Sequence, residues 1–174
     1  MALYRVFVPK QAAGADKNYF DVFNVAGSGL TLEVLSVQPV VSGAVIVTGA
    51  LSVDLILART SAAGIGGTAA SYEGATITAM TICGVDNSQT LTAAQVSGML
   101  TATSGATIGP LMSWASVFTE ETSAGSYTPP ADLIGNTSRG GLIVRPGSGF
   151  KVIQGAVASV GNIGFNVLFE AIQR

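Results

Sequence analysis

Alternation with a period of two constrains this chain more than any other feature. In Leu51-Ser52-Val53-Asp54-Leu55-Ile56-Leu57 the odd positions are apolar throughout. In Gly164-Phe165-Asn166-Val167-Leu168-Phe169-Glu170-Ala171 the odd positions again form an apolar face. In Leu30-Thr31-Leu32-Glu33-Val34-Leu35-Ser36-Val37 the shared face carries Leu30, Leu32 and Val34, with Ser36 next in line. Successive side chains of a strand point to opposite sides, so each run reads as a strand with one face in a core and the other toward water or a partner.

Between such runs the chain is cut repeatedly by Gly, Pro, Ser and Asn; 22 of the 174 residues are glycine. The pattern predicts strands at about 2–8, 18–25, 30–40, 44–48, 51–59, 75–83, 112–119, 141–145, 150–158 and 163–173. Short strands with frequent turns predict an all-β fold: a β-sandwich or jelly roll of about 8–10 short antiparallel strands with little helix. The length suits one domain over residues 1–174, with residues 1–10 as an N-terminal arm or edge strand. Thr92 to Leu100 is the best helical candidate, rich in Ala and Leu but interrupted by Gly98, and reads as a short helix or an irregular loop. Residues 60–71 and about 120–137, the latter with Pro129-Pro130, read as long exposed loops.

Composition narrows the function classes. Apolar residues make up 48% and charged residues 10% of the chain, against about a quarter charged in a typical soluble domain. Two readings fit: a surface largely covered by partners, or a large core under a Ser/Thr-rich surface. The basic residues Arg5, Lys10, Lys17, Arg59, Arg139, Arg145, Lys151 and Arg174 are scattered, which argues against nucleic-acid binding. Val34 to Val53 carries no charge, but Pro39, Gly43 and Gly49 punctuate it; it reads as two strands and a turn rather than a membrane span. The N-terminus lacks the pattern of a signal peptide. The single cysteine, Cys83, reads as a buried thiol acting as a small hydrophobe.

Absences decide most of the chemistry. The chain has no histidine, which removes serine–histidine and cysteine–histidine catalysis and the usual zinc ligand sets. None of the three lysines has a Ser-x-x-Lys spacing. The acids Asp16, Asp21, Glu33, Asp54, Glu73, Asp86, Glu120, Glu121, Asp132 and Glu170 form no local pair suited to glycoside hydrolysis, though distant ones can meet in the fold. Gly64-Ile65-Gly66-Gly67-Thr68 lacks the Lys-Ser/Thr of a phosphate loop. Trp114 shares a face with Met112 and Phe118 and reads as core, with an interface anchor as the alternative. No catalytic, cofactor-binding or metal-ligating residue is assigned, and no enzyme activity is expected.

The C-terminal third carries the most specific pattern. Leu142-Ile143-Val144-Arg145 leads into Pro146-Gly147-Ser148-Gly149, where proline presets a turn and glycine supplies positive φ, and Phe150 begins the return strand. That segment, together with the stretch Arg59 to Thr68 and the closing strand with Phe169-Glu170, resembles small β-sandwich virion proteins of tailed bacteriophages. The resemblance covers roughly residues 30–174 and brings no catalytic residues. It implies a capsid decoration or cement protein that sits on the outer head surface, often as a trimer, and clamps neighbouring major capsid protein subunits. It further implies assembly in the host cytoplasm; from the scattered basic residues and the punctuated 34–53 stretch, no nucleic-acid or membrane partner is expected. Another virion part (tail, collar or head fibre) and a carbohydrate-binding or adhesin-like sandwich are the alternatives.

Overall fold

The alternating runs find one another across long stretches of chain. The computed structural model describes residues 1–42, 51–86, 88–100, 103, 106–109, 111–120, 132–135, 141–157 and 161–173. Twelve strands are present among them: β1 (Ala2–Ala12), β2 (Asn18–Asn24), β3 (Leu30–Ser42), β4 (Leu51–Thr60), β5 (Thr68–Ala69), β6 (Ser71–Tyr72), β7 (Thr81–Gly84), β8 (Val96–Leu100), β9 (Ser113–Glu120), β10 (Leu142–Val144), β11 (Ser148–Gln154) and β12 (Asn162–Gln173). They form two six-stranded sheets, β10-β3-β12-β1-β7-β6 and β5-β8-β2-β11-β4-β9. All pairs are antiparallel except β6 with β7.

The order of pairing is nested. β1 pairs with β12, β2 with β11, β3 with β10 and β4 with β9. The chain thus runs out and back as one long double strand, and alternate pairs fall in opposite sheets. This is the wiring of a jelly roll. β5 to β8 are inserted between β4 and β9 and extend both sheets, β7 and β6 beyond β1, β8 and β5 beyond β2.

The core lies between the sheets, filled by the faces that alternation selects. Val53, Leu55 and Leu57 point inward from β4, and Phe165, Val167, Phe169 and Ala171 from β12. Phe20 of one sheet meets Phe165 of the other with ring centroids 5.2 Å apart, and Tyr4 stacks on Phe169 at 5.5 Å. Such contacts add about 0.5–1.5 kcal/mol per pair beyond area burial. In β3, Leu30, Leu32 and Val34 are buried, but a bulge at Leu35 resets the phase, so Val37 rather than Ser36 continues the buried row. An extra residue in one strand shifts every later side chain to the other face.

Several expectations are corrected. Residues 1–10 are neither an arm nor an edge strand: β1 lies between β12 and β7, with Pro9 accommodated in a bulge between Val8 and Gln11. The Thr92–Leu100 segment is a turn followed by strand β8, not a helix, because pairing with β2 satisfies its backbone. Of residues 75–83 only the end is a strand, and Ile77 is exposed. The Pro146-Gly147 turn is present, with Gly147 at φ 79° and Ser148 N–H donating to Arg145 O at 3.1 Å. It does not close a hairpin within one sheet, however: β10 belongs to the first sheet and β11 to the second, so the turn bridges the layers. Residues 44–48 and most of 120–137 lie outside the described residues. No helix among the described residues is long and apolar enough to cross a membrane.

Candidate functional site

Each sheet has an outer face, and the two differ. On the first sheet, alternation places three rows outward. Leu3, Glu170, Glu33 and Ile143 are cross-strand neighbours in one; Cys83, Arg5, Leu168 and Ser36 in the next; Thr81, Phe7, Asn166 and Gln38 in the third. Arg5, Phe7, Asn166, Gln38 and Ile143 are exposed. This is a broad surface of mixed polarity, with Phe7 exposed in its third row.

Two distant acids do meet here. Glu33 and Glu170 stand directly opposite each other on β3 and β12. Glu33 Oε1 accepts a hydrogen bond from Gly141 N–H at 3.0 Å, which ties the start of β10 to β3. This carboxylate has a structural task on an open sheet face, not in a cleft. Among the described residues no group of three or more His, Cys, Asp or Glu could hold a metal ion. Cys83 is half-buried rather than fully buried; burial pushes its thiol pKa up, the Glu73 charge adds to this, and Arg5 opposes it. A thiol held protonated is a poor nucleophile. Trp114 pairs through its backbone with Ile56, and its side chain lies outside the described set.

Part of the outer face of the second sheet is covered. One row there runs Ala69, Met99, Asp21, Lys151, Ala58 across five strands. Residues 61–67, leaving β4, fold back over it. Gly64 N–H donates to Asp21 Oδ1 at 3.2 Å and Gly67 N–H to Met99 Sδ at 3.3 Å. Asp21 is 2% exposed and Lys151 7%. Burial pushes the Asp21 carboxyl up to about 6; the Gly64 N–H, the Asn18 side chain and the Lys151 charge oppose that rise. Burial also draws the Lys151 pKa down, with Asp21 acting the other way. Low-dielectric surroundings penalise both charges, and their mutual attraction only partly offsets this.

This pair is not legible as a site from local sequence. Its signal is a charge set inside an apolar run, in Tyr19-Phe20-Asp21-Val22-Phe23 and again in Phe150-Lys151-Val152-Ile153. The stretch Arg59 to Thr68, quoted above for its resemblance, is the end of β4, the cover itself and the first residue of β5. Residues 61–67 cover the pair on the outer face of the second sheet. Comparison with family models, curated proteins and solved structures returned no match.

Proposed function

We propose that this chain is a structural virion protein of the capsid decoration or cement type. It binds the outside of an assembled bacteriophage head shell and stabilises contacts between major capsid protein subunits. The observation that carries the reading is the jelly-roll wiring combined with an open, mixed-polarity outer face on the first sheet. Jelly rolls recur in viral capsid and lectin domains. Fold alone does not assign function, so the weight rests on the surface chemistry and on the resemblance carried by Arg59–Thr68 and Leu142–Phe150. Low charge suits a chain that buries surface against partners, and repetition over a lattice turns many weak contacts into tight binding. The partners are the major capsid protein and further copies of this chain, as a trimer; neither nucleic acid nor membrane is a partner.

The lectin alternative calls for a groove lined with exposed aromatic rings. Among the described residues, Phe7 is the exposed aromatic side chain, at 36%. The deciding experiment counts copies per purified particle and measures binding to assembled shells and to free coat subunits. The proposal expects on the order of hundreds of copies and binding to shells alone. About a dozen copies or fewer would place the protein at a tail or vertex instead.

A further inference from the structure

The cover over the second sheet is fastened mainly by backbone groups. Ser61 N–H donates to Ala106 O at 3.1 Å; Ile65 N–H donates to Thr103 O at 3.0 Å, and Thr103 N–H returns to Ile65 O at 2.9 Å. Beneath lies the Asp21 carboxyl. One of its oxygens accepts the Gly64 N–H, while Oδ2 is buried with no hydrogen-bond partner. Gly64 sits directly on it: a Cβ there would fall 2.0 Å from Oδ2. The carboxyl is therefore pressed against backbone, with no room for a water on that side. A buried ionised oxygen without a partner is costly, whereas a neutral carboxyl tolerates the same site far better.

We propose that residues 61–67 form a pH-responsive latch over the second sheet, closed while Asp21 carries a proton and loosened when Asp21 ionises and draws in water. The groups facing Asp21 are few. Among the described residues Lys151 on β11 is the charged one, Met99 on β8 is neutral, and Asn18 on β2 supplies a hydrogen bond. Neither the latch nor described residues 103 and 106–109, which pair with it, contain an ionisable side chain. Closed, the carboxyl titrates at about 6; opened to water it returns toward its ordinary 3.8. The closed form thus holds the proton more tightly, and opening becomes easier as pH rises from about 4 through about 6, levelling off above. Two pK units correspond to on the order of a 100-fold change in the opening constant. Opening exposes Lys151 and Met99 and moves Ile65, already 69% exposed.

Amide hydrogen exchange by NMR, corrected for intrinsic rates, tests this between about pH 4.5 and 7.5. Protection of the Gly64 and Ile65 amides should fall on the order of 20- to 30-fold across that range, while Val22 and Val152 amides in the core change much less. Asp21→Asn should flatten the profile. A flat wild-type profile overturns the proposal by itself, whether or not the variant folds. So does a fall at Val22 and Val152 in step with Gly64, or an unchanged profile in folded Asp21→Asn.

Discussion

Asn24 offers the sharpest test of how the two sheets are joined. The residue ends β2 in the second sheet and is fully buried. Its Nδ2 donates to Leu30 O at 2.8 Å and to Val144 O at 3.1 Å, both in strands of the first sheet. Its Oδ1 accepts from Ser28 Oγ at 2.6 Å, and its backbone carbonyl accepts Gly147 N–H at 2.8 Å. One side chain thus holds the β2–β3 and β10–β11 turns side by side where the chain passes between layers. Asn24→Ala deletes three hydrogen bonds, at about 1 kcal/mol each, and leaves buried groups without those partners. We expect a loss of about 2–4 kcal/mol, which for a chain of this size lowers Tm by about 4–16 °C. Asn24→Asp keeps the shape but turns the donor into a charged acceptor aimed at two carbonyl oxygens, so it should be at least as damaging at pH 7. Urea denaturation and thermal melts followed by far-UV circular dichroism measure both. An Asn24→Ala variant within about 0.5 kcal/mol of wild type, the range of an inert surface change, would refute the reasoning, as would a fully stable Asn24→Asp.

Gly64→Ala should cost about 2–3 kcal/mol, because its Cβ would overlap the Asp21 carboxyl and break the Gly64–Asp21 hydrogen bond; a urea titration checks this, and pairing it with Asp21→Ala should cost less than the sum of the two. Phe165→Ala, which empties the meeting point of Tyr19 and Phe20, should lose about 3–5 kcal/mol in the same assay. Cys83 should react more slowly than free cysteine with a thiol reagent at pH 8, since burial holds the thiol protonated; a rate equal to that of free cysteine contradicts this. Phe7→Glu should weaken shell binding about tenfold or more while leaving the melting temperature within a few degrees, because Phe7 projects from the outer face of the first sheet; unaltered binding places the contact elsewhere.

Alternation made the inward faces of β4 and β12 legible, and the Pro-Gly pair made the turn at residue 146 legible, because both are local rules. What the sequence hid depends on contacts made far along the chain. Ala93 and Ala94 favour a helix, and Gly98 reads as a flaw in one. In the fold Gly98 is a strand position where a Cβ would come within 2.9 Å of Met80 Cε and 3.0 Å of Ala70 Cβ, so its lack of a side chain lets the layers close. Residues 75–79 have strand-like composition but no partner strand, and no β-ladder forms there. The Asp21–Lys151 pair is invisible for the same reason: each charge stands out locally, but only the register of β2 against β11 brings them together.

The position of β12 carries a consequence for biogenesis. Among the described strands it follows the other eleven in the chain, yet it lies in the middle of the first sheet, between β3 and β1. Until residue 162 leaves the ribosome, that sheet exists only as two fragments, β10-β3 and β1-β7-β6, each with an open inner edge. The nascent chain must therefore wait for β12 before the two halves can be sewn together, and during that interval the bare edges of β1 and β3 are open to neighbouring chains. Such distant pairing places folding in the slow regime of milliseconds to seconds. A chain cut before β12 loses the seam of one whole layer rather than a dispensable tail.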